Sequence, residues 1–216
     1  MTEPTDLQSE RTTVKRIPAR GHYDADTVHA ILDESYICHV GVVVEDTPIV
    51  VPTLHARIDD QLLLHGSPAS RMLRTARSNE ISVTATLVDG WVLARSAFHH
   101  SMNYRSVTIF GQPEEVPAEE KADALDALVE RLCPGRLPFL RPMTEKEVRA
   151  TTVLRLPITE ASAKIRTGGP GDDEEDYDLP IWAGVVPVSE TYGAPETDPA
   201  MRMDVAVPDH VTNFRS

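Results

Sequence analysis

QLLLHGSPASRMLRTAR, residues 61–77, runs from an apolar stretch through a Gly-Ser-Pro turn into a short arginine-bearing segment. Leu62, Leu63 and Leu64 read as a buried strand, and His65-Gly66 brings the backbone out at its end. Ser67 has the chemistry of an N-cap. Pro68 has no N–H to lose and a φ already near the helical value, so the pair predicts an amphipathic helix beginning at Pro68. Its first turn leaves backbone N–H groups free at the positive end of the helix, beside the Ser70 hydroxyl and the Arg71 guanidinium. That combination suits an anion. An ordinary strand–turn–helix with a solvated Arg71, Arg74, Arg77 stripe satisfies the same residues.

Upstream, Asp24 caps a predicted helix in which Val28, Ile31 and Leu32 recur at helical spacing. Residues 37–44 and 49–58 are β-rich runs joined by Glu45-Asp46-Thr47-Pro48, a predicted hairpin. Downstream, Ile81, Val83, Ala85 and Leu87 alternate with Ser82, Thr84 and Thr86, the period of a half-buried strand, and Asp89-Gly90 reads as a hairpin turn. Residues 91–97 and 104–115 continue the strands. AEEKADALDALVERLC, residues 118–133, carries one apolar helical face, Thr144 and Glu147 have capping-box spacing, and residues 152–156 read as a last strand. Short alternating strands with a few helices and no G-x-G-x-x-G fingerprint predict a mostly β fold with flanking helices, a small antiparallel barrel.

Residues 1–20 lack periodicity and read as an N-terminal arm, 21–166 as the barrel domain, 167–178 (TGGPGDDEEDYD) as a mobile acidic linker, and 179–216 as a tail that docks on the barrel or on a partner subunit. With 34 acids against 21 bases the formal charge is −13, which argues against nucleic-acid or anionic-membrane partners and makes a local arginine cluster stand out. Cys38 and Cys133 are far apart and lack zinc-site spacing, so no metal centre is expected. The polar N-terminus and the lack of a long apolar run lead to the expectation of a cytoplasmic protein with no membrane association.

Three ordered pieces, VVPTL at 50–54, LLLHGSPASRML at 62–73 and NYRSVTIFGQPEEV at 103–116, resemble the FMN-binding split-barrel family related to pyridoxamine 5′-phosphate oxidase. More narrowly the chain resembles its flavin-nucleotide-binding branch, which includes the nitroimidazole-resistance reductases, and WAGVVPV near Trp182 resembles the tail of some members. The resemblance implies a Greek-key-like split barrel, FMN as cofactor, and a homodimer with cofactor sites at the subunit interface. It implies that Ser70 and Arg71, in the group starting at Ser67, hold the FMN phosphate. It also places Val51-Pro52-Thr53 along the isoalloxazine, and Arg105 and Ser106, in the strand group starting at Asn103, against a flavin of the second subunit. A strand-surface cation is the plainer reading of Arg105, and an ordinary strand residue that of Thr53.

His65, at the strand end, is the candidate proton donor or substrate contact, since imidazole titrates near neutral pH; a packed, hydrogen-bonded histidine is its plain alternative. His99 and His100 precede the Asn103 strand and face either substrate or solvent. The chain departs from the reductase pattern where Ala69-Ser70 replaces Gly-His, which leaves the reaction open. The expected function is an oxidoreductase passing electrons between FMN and a small organic substrate or oxygen. The alternatives are a non-catalytic flavin-nucleotide carrier or sensor, and a haem-binding barrel protein.

Overall fold

The computed structural model describes residues 6–214. In chain order its elements are β1 (Gly21–His22), α1 (Ala25–Glu34), β2 (Ile37–Val44), β3 (Thr47–Ile58), β4 (Gln61–Gly66), α2 (Arg71–Ala76), β5 (Ile81–Leu93) and β6 (Ser101–Gly111). Then come β7 (Glu114–Glu115), α3 (Lys121–Leu132), α4 (Glu145–Arg149), β8 (Thr152–Pro157), β9 (Ala161–Arg166), β10 (Gly184–Pro187) and α5 (Asp209–Thr212). The strand order is β1-β9-β6-β5-β2-β3-β4-β8-β7, with β10 added to β5, and every pairing is antiparallel. β3 joins the two halves of this split barrel by serving a neighbour in each. Its first part, to Leu54, pairs with β2, and His55 to Ile58 pair with β4.

Side-chain alternation decides what each strand offers the core. Leu62 and Leu64 of β4 face inward with Val83, Val107, Ile109, Leu154 and Leu156, all in one buried cluster closed by Val28, Ile31 and Leu32 of α1. Each fully buried side chain of this kind contributes about 1.5–3 kcal/mol of transfer free energy. Leu63 points to the other side and packs with Ala56 against Leu128 of α3. The three consecutive leucines are therefore buried on two faces, which explains a run without alternation.

Several local expectations are corrected. Asp89-Gly90 is not a turn: β5 runs continuously, and the register against β6 shifts between Val88 and Gly90, a bulge inside one long strand. The connection to β6 instead runs through a short 3-10 turn at Ala97–His99. The helix after β4 begins at Arg71, with Ser70 as its cap: Ser70 Oγ accepts from Leu73 N at 3.4 Å. Ser67 Oγ accepts from Ala69 N, and Ser70 N donates to the Ser67 carbonyl, so residues 67–70 form a preceding turn. Burial of Met72, Leu73 and Ala76 fixes the helix start, overriding the Ser-Pro signal. The capping box at Thr144 and Glu147 forms as expected.

Of the arm, residues 1–5 lie outside the described residues. From Asp6 onward the segment lies across the barrel, where Leu7 is buried, its N–H donates to Tyr23 O, and Ala161 N donates to its carbonyl. Segment 167–178, which the sequence suggests is mobile, is anchored by polar contacts. Asn103 and Arg166 donate to the Gly168 carbonyl, Arg166 to that of Gly169, and Arg95 pairs with Asp172 and lies 4.8 Å over Tyr177. Asp172 supplies the carboxylate to Arg95, and the glycine carbonyls supply the acceptors to Arg166.

Candidate functional site

The expected site residues fall into two groups that one chain holds apart. His65, Ser67, Ser70 and Arg71 sit where β4 ends and α2 begins, while Asn103, Arg105 and Ser106 lie on β6. In the sheet, β3, β2 and β5 stand between these two strands. Pro52 and Thr53 of β3 lie between the groups and point to opposite faces, because Pro52 pairs with His39 and Thr53 with the buried Cys38.

Near α2, Arg71 is exposed and makes no ion pair among the described residues. Ser70 Oγ accepts the cap bond from Leu73 N, and its O–H remains a donor. His65 shares the face of its β8 partner Val153, which packs with Val116 and Leu125, and is therefore turned away from the barrel interior. Its Nδ1 is buried without a hydrogen-bond partner, and burial pushes the imidazole below its ordinary value, so the ring is held neutral.

On β6, Arg105 shares the inward face with Val107, whereas Ser106 faces outward with Thr86 and Lys164. The two cannot meet a ligand from the same side of the sheet. Arg105 is clasped by two acids. Its Nε and Nη2 donate to Asp89 at 3.0 and 2.8 Å, and its Nη2 donates to Glu34 Oε1 at 2.7 Å, with Nη1 also reaching Glu34. Hydrogen bonds from Arg105 hold the Glu34 carboxyl below its usual range, and Glu34 and then Asp89 raise the guanidinium. Asn103 is buried, with its side chain between Arg166 and the Gly168 carbonyl.

Arg105 borders a cleft of about 790 Å³ walled by Glu34, Tyr36, Thr86 to Asp89 and, from the tail, Val188 to Glu190 and Tyr192. The cleft exists because the outer edge of β5 is paired only in part. Its ladder to β2 ends at Ala85 and its ladder to β10 starts at Gly90. Between them Asp89 O accepts from Val188 N, and residues 86–88 have no strand partner on this edge, so their outward backbone groups are available to a flat polar molecule. At the cleft mouth Tyr192 donates to Glu190, which pushes its phenol up to about 12. A second, smaller cleft of about 210 Å³ lies beside α2, lined by Pro68, Arg74, Arg77, Glu115, Lys121 and Arg149.

In the β5–β6 connection His100 Nδ1 lies 2.8 Å from the Ser96 carbonyl, a contact in which Nδ1–H donates and which leaves Nε2 pointing elsewhere. His99 Nε2 lies 3.3 Å from Asp173. Phe98 beside them is 90% exposed. No group of three or more potential metal-binding side chains occurs among the described residues.

A family model described as pyridoxamine 5′-phosphate oxidase matches residues 24–165, the barrel from the α1 cap to β9. The chain belongs to this family. The flavocytochrome Anf3 from Azotobacter vinelandii is 43% identical and superposes with a TM-score of 0.90, covering 94% of this chain and 95% of its own. The FAD and haem binding protein from Mycobacterium smegmatis is 37% identical, with a TM-score of 0.86 over 89% of this chain and 95% of its own. A protein of Bacteroides thetaiotaomicron described as a 5-nitroimidazole antibiotic resistance protein is 25% identical and covers 67% of this chain and 86% of its own, at a TM-score of 0.57. No curated protein matches the sequence.

The likeness to the first two structures extends past the region matched by the family model, into the segment after Arg166 that walls the large cleft. Several of the family chain's cleft residues gave no local signal in the sequence. Glu34 and Asp89 are ordinary acids of a helix end and a strand bulge until the fold sets both on Arg105. Lys121 and Arg149 join Arg74 and Arg77 from far along the chain.

Proposed function

We propose that the chain is a flavin-binding redox protein working as a homodimer, with FAD as its flavin and haem as a second redox group. What carries this reading is the near full-length likeness to a flavocytochrome and to an FAD and haem binding protein. The resemblance in the sequence implied FMN; the dinucleotide is preferred because the relative described by its flavin binds FAD.

The residues present fit both groups. Arg71, unpaired at the surface, offers a forked cation to a phosphate, and the open edge of β5 offers backbone donors and acceptors to a heteroaromatic ring. Iron requires a neutral imidazole with an available nitrogen. His65 is kept neutral by burial and has an unpartnered Nδ1, and His100 has Nε2 to offer while its other nitrogen is fixed by a backbone carbonyl. Bound flavin exchanges one or two electrons and haem one, so the pair would pass electrons from a two-electron donor to a small organic acceptor or oxygen. The protein's part is to bind, orient and desolvate. Glu34 and Asp89 fix Arg105 at the cleft wall, and Val188, Ser189, Glu190 and Tyr192 of the tail complete the lining.

Dimerisation is supported by the outer sheet face. Ile37 pairs with Leu54, Gly41 with Val50 and Val43 with Pro48, so Ile37, Leu54, Val50 and Val43 form one apolar surface, and Val50 is 65% exposed. Such a patch calls for cover, and a second copy with the same patch provides it. In this reading each flavin is shared between the β4–α2 group of one subunit and the β6 group of the other.

Absorption spectroscopy of the purified full chain tests the proposal. The expected result is flavin bands plus a Soret band, heat-released flavin that migrates as FAD, and a dimer in sedimentation. A protein that binds neither FAD, FMN nor hemin after reconstitution refutes it. Flavin without haem reduces it to a flavoprotein or flavin carrier.

A further inference from the structure

The cleft beside α2 collects four cations, Arg74, Arg77, Lys121 and Arg149, in a chain whose net charge is −13. Their local compensation is incomplete. Arg77 pairs with Glu115 at 3.0 Å and Arg149 with Glu145 at 3.0 Å, whereas Arg74 and Lys121 have no ion-pair partner among the described residues. Like charges gathered without enough acids repel one another, and about 210 Å³ of open space between them is room for a phosphate-sized anion. Arg71, Arg74 and Arg77 follow at three-residue intervals through α2 and its C-cap, which puts successive Cβ atoms about 5–6 Å apart on one side. A single phosphate held by Arg71 leaves the cleft unused. A diphosphate continues from Arg71 to Arg74.

We infer that this cleft is the determinant that selects a flavin dinucleotide over a mononucleotide: it takes the second phosphate of FAD, on the adenosine side, with Arg74 and Lys121 as principal contacts and Arg77 released in part from Glu115. The inference rests on the FAD reading above and adds the place where the second phosphate of that flavin is held. It assigns Glu115 a definite role as a brake, since its carboxylate competes with the phosphate for Arg77.

Titration of the flavin-free full chain with FAD, FMN and ADP, read by flavin fluorescence or by calorimetry, tests it in wild type, Arg74→Gln, Lys121→Gln and Glu115→Gln. Arg74 is exposed and has no structural partner, so its loss leaves the fold intact. The expected result is a fall in FAD affinity of about tenfold or more for each removed cation, weakened ADP binding, unchanged FMN affinity, and tighter FAD binding in Glu115→Gln. FAD affinity that is unchanged in both cation variants, or FAD and FMN affinities that fall together, overturns the inference. Weakened ADP binding with unaltered FAD binding also overturns it, by showing an anion site apart from the flavin. A wild type that binds no flavin at all overturns the flavin reading itself. A wild type that binds FAD while Arg74→Gln loses FAD and FMN equally overturns only the present inference.

Discussion

Arg105→Gln removes the centre of a three-residue clasp while keeping the side chain polar. In the wild type the guanidinium is 29% exposed, as is Asp89, and Glu34 is 54% exposed. Water therefore screens the pairs in part, and exposed pairs of this kind contribute about 0.2–1 kcal/mol each. The bidentate contact to Asp89 belongs at the upper end and the Glu34 contact lower. Removing the cation also leaves two carboxylates facing each other, so the total expected loss is about 1–2 kcal/mol. For a chain of this size that lowers Tm by about 2–8 °C. The assay is urea and thermal denaturation of Arg105→Gln, Asp89→Asn and the double variant, with a coupling of about 0.5–1 kcal/mol expected from the cycle. The difference between wild type and variant shrinks in 1 M salt. It also shrinks in acid: Arg105 depresses the Glu34 carboxyl, so this contribution is present above the unfolded carboxylate range and is lost as pH falls through the folded value. Zero coupling, or a variant as stable as wild type, refutes the clasp. Flavin titration of the same variant separates roles, because a clasp leaves affinity unchanged whereas a direct flavin contact lowers it about tenfold or more.

Arg71→Ala is expected to weaken flavin binding about ten- to hundredfold in fluorescence titration, for loss of one charge-assisted phosphate contact; unchanged affinity removes Arg71 from the site. Acidification from pH 7.5 to 5.5 is expected to destabilise the chain, since burial depresses both His55 and His65 and the unfolded state then binds more protons. The contribution is complete above the unfolded imidazole value and is lost at up to about 1.4 kcal/mol per pH unit for each ring until the folded values are reached, which urea melts across that range measure. Deleting residues 167–216 is expected to leave a cooperatively folded but less stable barrel by circular dichroism, because the main core ends at Ala163 while Arg95 and β5 lose Asp172 and β10. Collapse of the fold would place the tail in the core.

The sequence alone determined what depends on neighbours along the chain. Alternation fixed the inward face of β5, helical spacing fixed α1 and α3, the Thr144 capping box fixed α4, and three ordered pieces fixed the family. Local rules failed where a distant surface outweighed them. Asp89-Gly90 has turn chemistry, yet β6 on one side and β10 on the other hold it in an extended strand, because ladder bonds along both edges exceed the preference of one dipeptide. Ser67-Pro68 has helix-start chemistry, yet the helix waits for Ser70 because Met72 and Leu73 must be buried. The site shows the same division. Arg71 and His65 are candidates on the chemistry of their own segment, but only folding sets Glu34 and Asp89 on Arg105, turns Ser106 away from it, and brings Lys121 and Arg149 to the arginines of α2. Charge contacts act through space and carry no sequence period, so a cation's partner was decided by the tertiary structure alone.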